Sequence, residues 1–116
     1  MLAGPNVQWS PDGLQLAGQI GDGTVAIYDI PSRRYRFLDQ VRGPIYKWLR
    51  DGRLFIGPPE APRLVDPGSG TARPLGIPAF GAEAPNEYRV SADERTVYFP
   101  IARNESDIWL VRIGQQ

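Results

Sequence analysis

Residues 9–13 read Trp-Ser-Pro-Asp-Gly, and residues 48–52 read Trp-Leu-Arg-Asp-Gly. A related segment, Val-Ser-Ala-Asp-Glu, occupies residues 90–94. The turn aspartates of the three copies, spaced 39 and 42 residues apart, are Asp12, Asp51 and Asp93. Because Asp bonds its own local backbone and Gly adopts a positive φ without a Cβ clash, the first two copies favour a tight reversal between strands. In the third copy Glu94 replaces the Gly and is a poorer turn residue.

Short runs of β-branched and aromatic residues lie between the turns. Examples are residues 25–28, 53–56, 96–99 and 108–111. Thirteen Gly and twelve Pro are spread along the chain, and no stretch has the apolar spacing of an amphipathic helix. Four short strands in roughly 40 residues are typical of a propeller blade. The sequence therefore predicts an all-β chain, a β-propeller fragment of about three four-stranded antiparallel blades with the last one incomplete.

The predicted fragment covers residues 1–116 as a single domain, with blades at residues 6–40, 43–76 and 86–114. Such a blade is apolar on both faces, because each face packs against a neighbouring blade. Propellers typically close with four to eight blades, so three do not make a ring. Either the chain is the C-terminal part of a longer propeller, or a homodimer completes a six-bladed ring. Alone, the chain is expected to expose an apolar blade face and an open sheet edge.

Composition excludes several kinds of site. Thirteen basic and thirteen acidic side chains cancel, so there is no basic excess to attract nucleic acid. The chain contains neither Cys nor His, which excludes disulfides, Cys/His zinc sites and a Ser-His-Asp triad within it. No apolar stretch approaches the roughly 20 residues of a membrane span, and residues 1–6 lack the features of a secretory signal. We predict no catalytic residue, metal, cofactor or membrane insertion.

The repeat resembles a known family. Residues 9–17 (Trp-Ser-Pro-Asp-Gly-Leu-Gln-Leu-Ala), followed by residues 26–30 (Ala-Ile-Tyr-Asp-Ile), resemble the WD-like repeat of TolB-type β-propellers. Residues 91–99, followed by residues 105–111, look like the closing repeat of the same family. The middle copy departs from the pattern, since Leu-Arg stands where Ser-Pro is usual. The resemblance implies a propeller fold and favours a location outside the cytoplasm, but a fold does not identify a ligand.

Propellers of this family occur as binding scaffolds, as sensor halves of receptor-type protein kinases and as gates of peptidases. With no catalytic side chains in view, the first hypothesis is a non-catalytic scaffold for a protein or peptide partner. The alternative is a gating or sensor propeller domain of a larger enzyme, whose chemistry would lie outside this sequence.

The first strand of a propeller blade lines the central channel, and this gives the candidate contact residues. By the repeat alignment these strands carry Gln8, Lys47 and Arg89 as polar members, so we predict them as partner contacts. Trp9 and Trp48 occupy equivalent positions, which favours packing between blades. A stacking platform formed with Trp109 is the alternative.

Overall fold

The computed structural model describes residues 3–75, 88–102 and 106–113. They form three antiparallel sheets. The first contains β1 (Ala3–Trp9), β2 (Gln15–Gln19), β3 (Thr24–Asp29) and β4 (Arg34–Arg42) in that order. The second contains β5 (Ile45–Trp48), β6 (Leu54–Ile56), β7 (Arg63–Val65) and β8 (Ala72–Pro74), also in chain order. The third contains β9 (Arg89–Val90), β10 (Thr96–Ala102) and β11 (Ser106–Arg112).

The prediction of an all-β chain with three antiparallel sheets is confirmed, and no sheet closes on itself. The described residues contain no helix of the length and apolar character needed to span a bilayer. Residues 86–87, 103–105 and 114 of the predicted third blade lie outside the described residues, as does the side chain of Trp109.

The repeated turn has the same hydrogen bonds in the first and third sheets. Ser10 Oγ donates to Asp12 Oδ1 at 2.6 Å, and the backbone N of Gln15 donates to Ser10 Oγ at 3.0 Å. Ser91 and Asp93 repeat the first contact at 2.6 Å. The residue directly after the turn aspartate has a positive φ in all three copies: 75° at Gly13, 98° at Gly52 and 58° at Glu94. The predicted tight reversal is therefore confirmed, including at the position without a Gly.

These serine contacts predict a measurable pKa change. The hydrogen bond from Ser10, together with the backbone N–H of Leu14, holds the pKa of Asp12 below its ordinary value. Ser10→Ala is expected to raise that pKa towards the ordinary value and to leave Asp93 unchanged, since Asp93 keeps its own serine. Carboxyl ¹³C titration by NMR measures both groups in one sample. An unchanged Asp12 pKa in the variant would contradict the assignment.

The pH dependence of stability follows from the same direction of shift. Because the folded-state pKa of Asp12 is lowered, its contribution to stability is complete above the ordinary carboxyl pKa. The contribution is lost as the pH falls through the lowered value. The Ser10→Ala variant should therefore lose less stability on acidification than the parent chain.

The strand β6 of the second sheet is buried on both faces. Leu54 and Ile56 join a core shared with the first sheet, together with Ala17, Val25, Ile27, Leu38, Val41, Ile45, Trp48 and Val65. Phe55 lies between them in β6 and points the other way, into a core shared with the third sheet. That core also contains Leu49, Leu64, Tyr88, Val97, Phe99 and Ile113. All three residues of β6 are 0% exposed. The two cores place the second sheet between the other two.

The three sheets have the same orientation in this stack. In each sheet, the last residue of the first strand pairs with a residue of the second strand. The pairs are Trp9–Leu16, Trp48–Leu54 and Val90–Val97. We call the face that carries each pair the leading face of its sheet. The leading face of the second sheet packs on the first sheet, and that of the third packs on the second.

The opposite face of each sheet is its trailing face. Its central pairs are Ala17–Ile27, Phe55–Leu64 and Tyr98–Leu110. In the first and second sheets these central pairs are covered by the sheet that follows. Each interface in the chain is therefore a trailing face against a leading face.

Candidate interaction surfaces

The three predicted contact residues occupy matching positions in three different sheets. Gln8, Lys47 and Arg89 lie on β1, β5 and β9 and pair with Ala17, Phe55 and Tyr98. They therefore lie on the trailing faces. Gln8 and Lys47 are half-buried, and Arg89 is exposed. Their contact with a partner stays a prediction.

Lys47 belongs to an ionic cluster that joins the second sheet to the third. Its Nζ lies 3.3 Å from Glu94 Oε2, and Arg50 Nε lies 3.6 Å from the same oxygen. The backbone N of Arg50 donates to Glu94 Oε1 at 2.7 Å. The Arg50 guanidinium also donates to the carbonyl oxygen of Ala92. The Glu94 side chain is only 10% exposed, so this carboxylate is largely removed from water between two cations.

Sequence reasoning treated Glu94 only as an unfavourable turn residue. The structure gives a reason for a Glu at this positive φ, because its carboxylate binds the neighbouring sheet. The available signal was an acidic residue where the other two copies have Gly.

Glu94→Gln is expected to lower the free energy of unfolding by about 1 kcal/mol, since the amide keeps an acceptor but loses both ion pairs. The cost should shrink in high salt, where exposed partners such as Arg50 are screened. Urea unfolding at low and high salt measures it. Asp39→Asn, on an exposed carboxylate of β4, is the matched control and should change stability by less than about 0.5 kcal/mol. If Glu94→Gln lowers the free energy of unfolding equally at low and high salt, the ionic role of Glu94 is contradicted.

A second feature is a polar groove of about 590 Å³ on the trailing side of the second sheet. Its lining residues are Asp51, Arg53, Leu64, Asp66, Ser69, Thr71 and Arg73. Arg53 Nε and Nη2 lie 2.9 and 2.7 Å from Asp51 Oδ2, which fixes the guanidinium against the groove wall. The Arg53 side chain is 12% exposed. The groove therefore combines a preorganised cation with further groups of both charges.

The carboxyl group of Asp51 is ionised at neutral pH. Burial alone would raise the pKa of Asp51, but the hydrogen bonds from the side chain and backbone of Arg53 outweigh it and hold that pKa below its ordinary value. Asp51 therefore presents a carboxylate, not a carboxylic acid, to anything that enters.

The third feature is an aromatic surface on the leading face of the first sheet. Trp9, Leu16, Tyr28 and Tyr35 pair in one row across β1 to β4. The rings of Tyr28 and Tyr35 are 4.8 Å apart, and Phe37 stacks beyond Tyr35 at 6.2 Å. Exposed fractions are 61% for Trp9, 41% for Tyr35 and 49% for Phe37. We call these five residues the aromatic face.

The two equivalent tryptophans have different environments. Trp48 is 6% exposed in the core between the first and second sheets, as packing between repeats predicts. Trp9 is exposed, because no sheet in the described part of the chain covers the aromatic face. The expectation of an exposed apolar sheet face is therefore confirmed at this surface.

Comparisons with protein-family models and with curated proteins found no match to this chain.

Proposed function

We propose that this chain is a non-catalytic scaffold of the TolB-like β-propeller type, which binds a protein or peptide partner in the polar groove. The observation that carries the proposal is the groove lining, in which Arg53 is fixed by Asp51 beside Arg73, Asp66 and two hydroxyl groups. A peptide offers charges of both signs and backbone donors and acceptors, and this lining complements each of them.

The stack of sheets supports the scaffold role. The groove lies beside β6 and β7, whose residues Leu54, Phe55, Ile56, Leu64 and Val65 are buried in the two cores, so packing holds the sheet to which its lining loops are attached. Rigid walls reduce the entropy that a binding site loses when a partner docks. Three similarly oriented antiparallel sheets, of which the first is covered by the second and the second by the third, also agree with the propeller resemblance of the repeat.

The experiment is a selection of random peptides displayed on phage against the immobilised chain. Enriched peptides should bind the parent chain and lose about tenfold in affinity with Arg73→Glu, since this reverses an exposed charge in the groove. Arg34→Glu, an exposed arginine on β4, is the matched control and should leave binding unchanged. Failure to enrich any peptide, or equal loss in both variants, would refute the groove as the site.

A further inference from the structure

Two sheet faces at opposite ends of the stack are exposed. One is the aromatic face, which is the leading face of the first sheet. The other is the trailing face of the third sheet, where Tyr98 is 37% exposed and Leu110 is 68% exposed. Both are apolar surfaces of a kind that the chain buries elsewhere.

The strand register shows which buried faces of the stack are equivalent to the two exposed faces. Trp9 and Leu16 occupy the positions of Trp48 and Leu54, which pack on a trailing face. Tyr98 and Leu110 occupy the positions of Phe55 and Leu64, which are covered by a leading face. The two exposed faces are therefore the two halves of an interface that the chain already forms twice.

We propose that the aromatic face binds the trailing face of the third sheet of a second copy, head to tail, so that two chains form a closed ring of six sheets. The contact is made twice in such a dimer, once at each end of the stack. It does not depend on the groove, so the peptide selection and the association experiment can fail separately. A further sheet of a longer chain is the competing occupant of these faces, and it predicts no self-association.

The absence of Cys from the sequence allows a specific cross-linking test. Leu16 lies on the leading face, at the position that Leu54 has in the second sheet. Tyr98 lies on the trailing face, at the position that Phe55 has in the second sheet. Chains carrying Leu16→Cys should form cross-linked dimers when mixed with chains carrying Tyr98→Cys and treated with a bismaleimide whose spacer is about 10 Å, because packed sheets lie too far apart for a direct disulfide. Neither variant should do so alone. Cross-links within either single variant, or none in the mixture, would overturn the head-to-tail pairing.

Sedimentation equilibrium of the unmodified full chain provides the second test. The expected mass is twice the 12.9 kDa of one chain. Leu110→Glu places a charge in both contacts of the ring and should raise the dissociation constant about 100-fold, while the equal charge change Gln40→Glu, at an exposed position of β4, should not. A monomer at all concentrations would contradict the proposal, as would open assemblies larger than a dimer.

Discussion

Phe55→Ala is expected to lower the free energy of unfolding by about 3–5 kcal/mol, a large part of the stability of a chain of this size. Phe55 is 0% exposed, and its ring centre lies 5.1 Å from that of Tyr46 and 5.6 Å from that of Tyr88. Truncation would remove the aromatic contacts and leave a cavity between the second and third sheets. Urea unfolding followed by tryptophan fluorescence measures the change.

The control is the same substitution at the other end of the stack. Phe37 is 49% exposed, so Phe37→Ala should cost less than about 1 kcal/mol at protein concentrations low enough to prevent association. Equal costs at the two positions would mean that Phe55 does not lie in a core between sheets.

Gly43→Ala is expected to cost about 3 kcal/mol, because strain and a steric clash add at this residue. Gly43 connects β4 to β5 and has a φ of 131°, a conformation that L side chains rarely adopt. A Cβ there would lie 3.1 Å from the carbonyl carbon and oxygen of Gly57. Those are backbone atoms, so a Cβ at residue 43 requires the backbone at Gly57 to shift by a few tenths of an ångström.

Gly70→Ala separates the two contributions. Gly70 also has a positive φ, 77°, but a Cβ at this position would have nothing within 4 Å. Only the strain remains, and the expected cost is about 1 kcal/mol. Thermal unfolding of both variants measures the difference, and equal melting temperatures would remove the argument for close packing at Gly43.

The strands and turns could be predicted because their signals are local. Asp-Gly at residues 12–13 and 51–52 specifies the reversal, and the β-branched and aromatic runs around it specify the strands. The burial of Trp48 also followed from its position in the repeat.

Aligning the turn aspartates does not predict which neighbouring sheet each residue of β6 faces. The second turn is one residue shorter, since Leu49 N bonds Arg53 O where Ser10 N bonds Gln15 O. Leu54, not Phe55, is therefore the structural equivalent of Leu16. A shift of one residue moves each side chain to the opposite face, so the simple alignment assigns β6 wrongly.

The ionic cluster and the groove required three-dimensional information. Glu94 is 44 residues from its partner Arg50, and nothing in the local sequence of either residue indicates the pairing. The groove depends on Arg53, which directly precedes β6, and Arg73 on β8 lining the same surface. Residue types suggested charge at these positions, and only the packing of the sheets brings the charges together.

The stacked arrangement is tested most directly by nuclear Overhauser contacts from two neighbouring residues of β6. Leu54 should show contacts to first-sheet residues such as Ala17 and Ile27, while Phe55 should show contacts to Tyr88. Contacts from both residues to one and the same neighbouring sheet, with water on the other side of β6, would contradict a second sheet enclosed between two others.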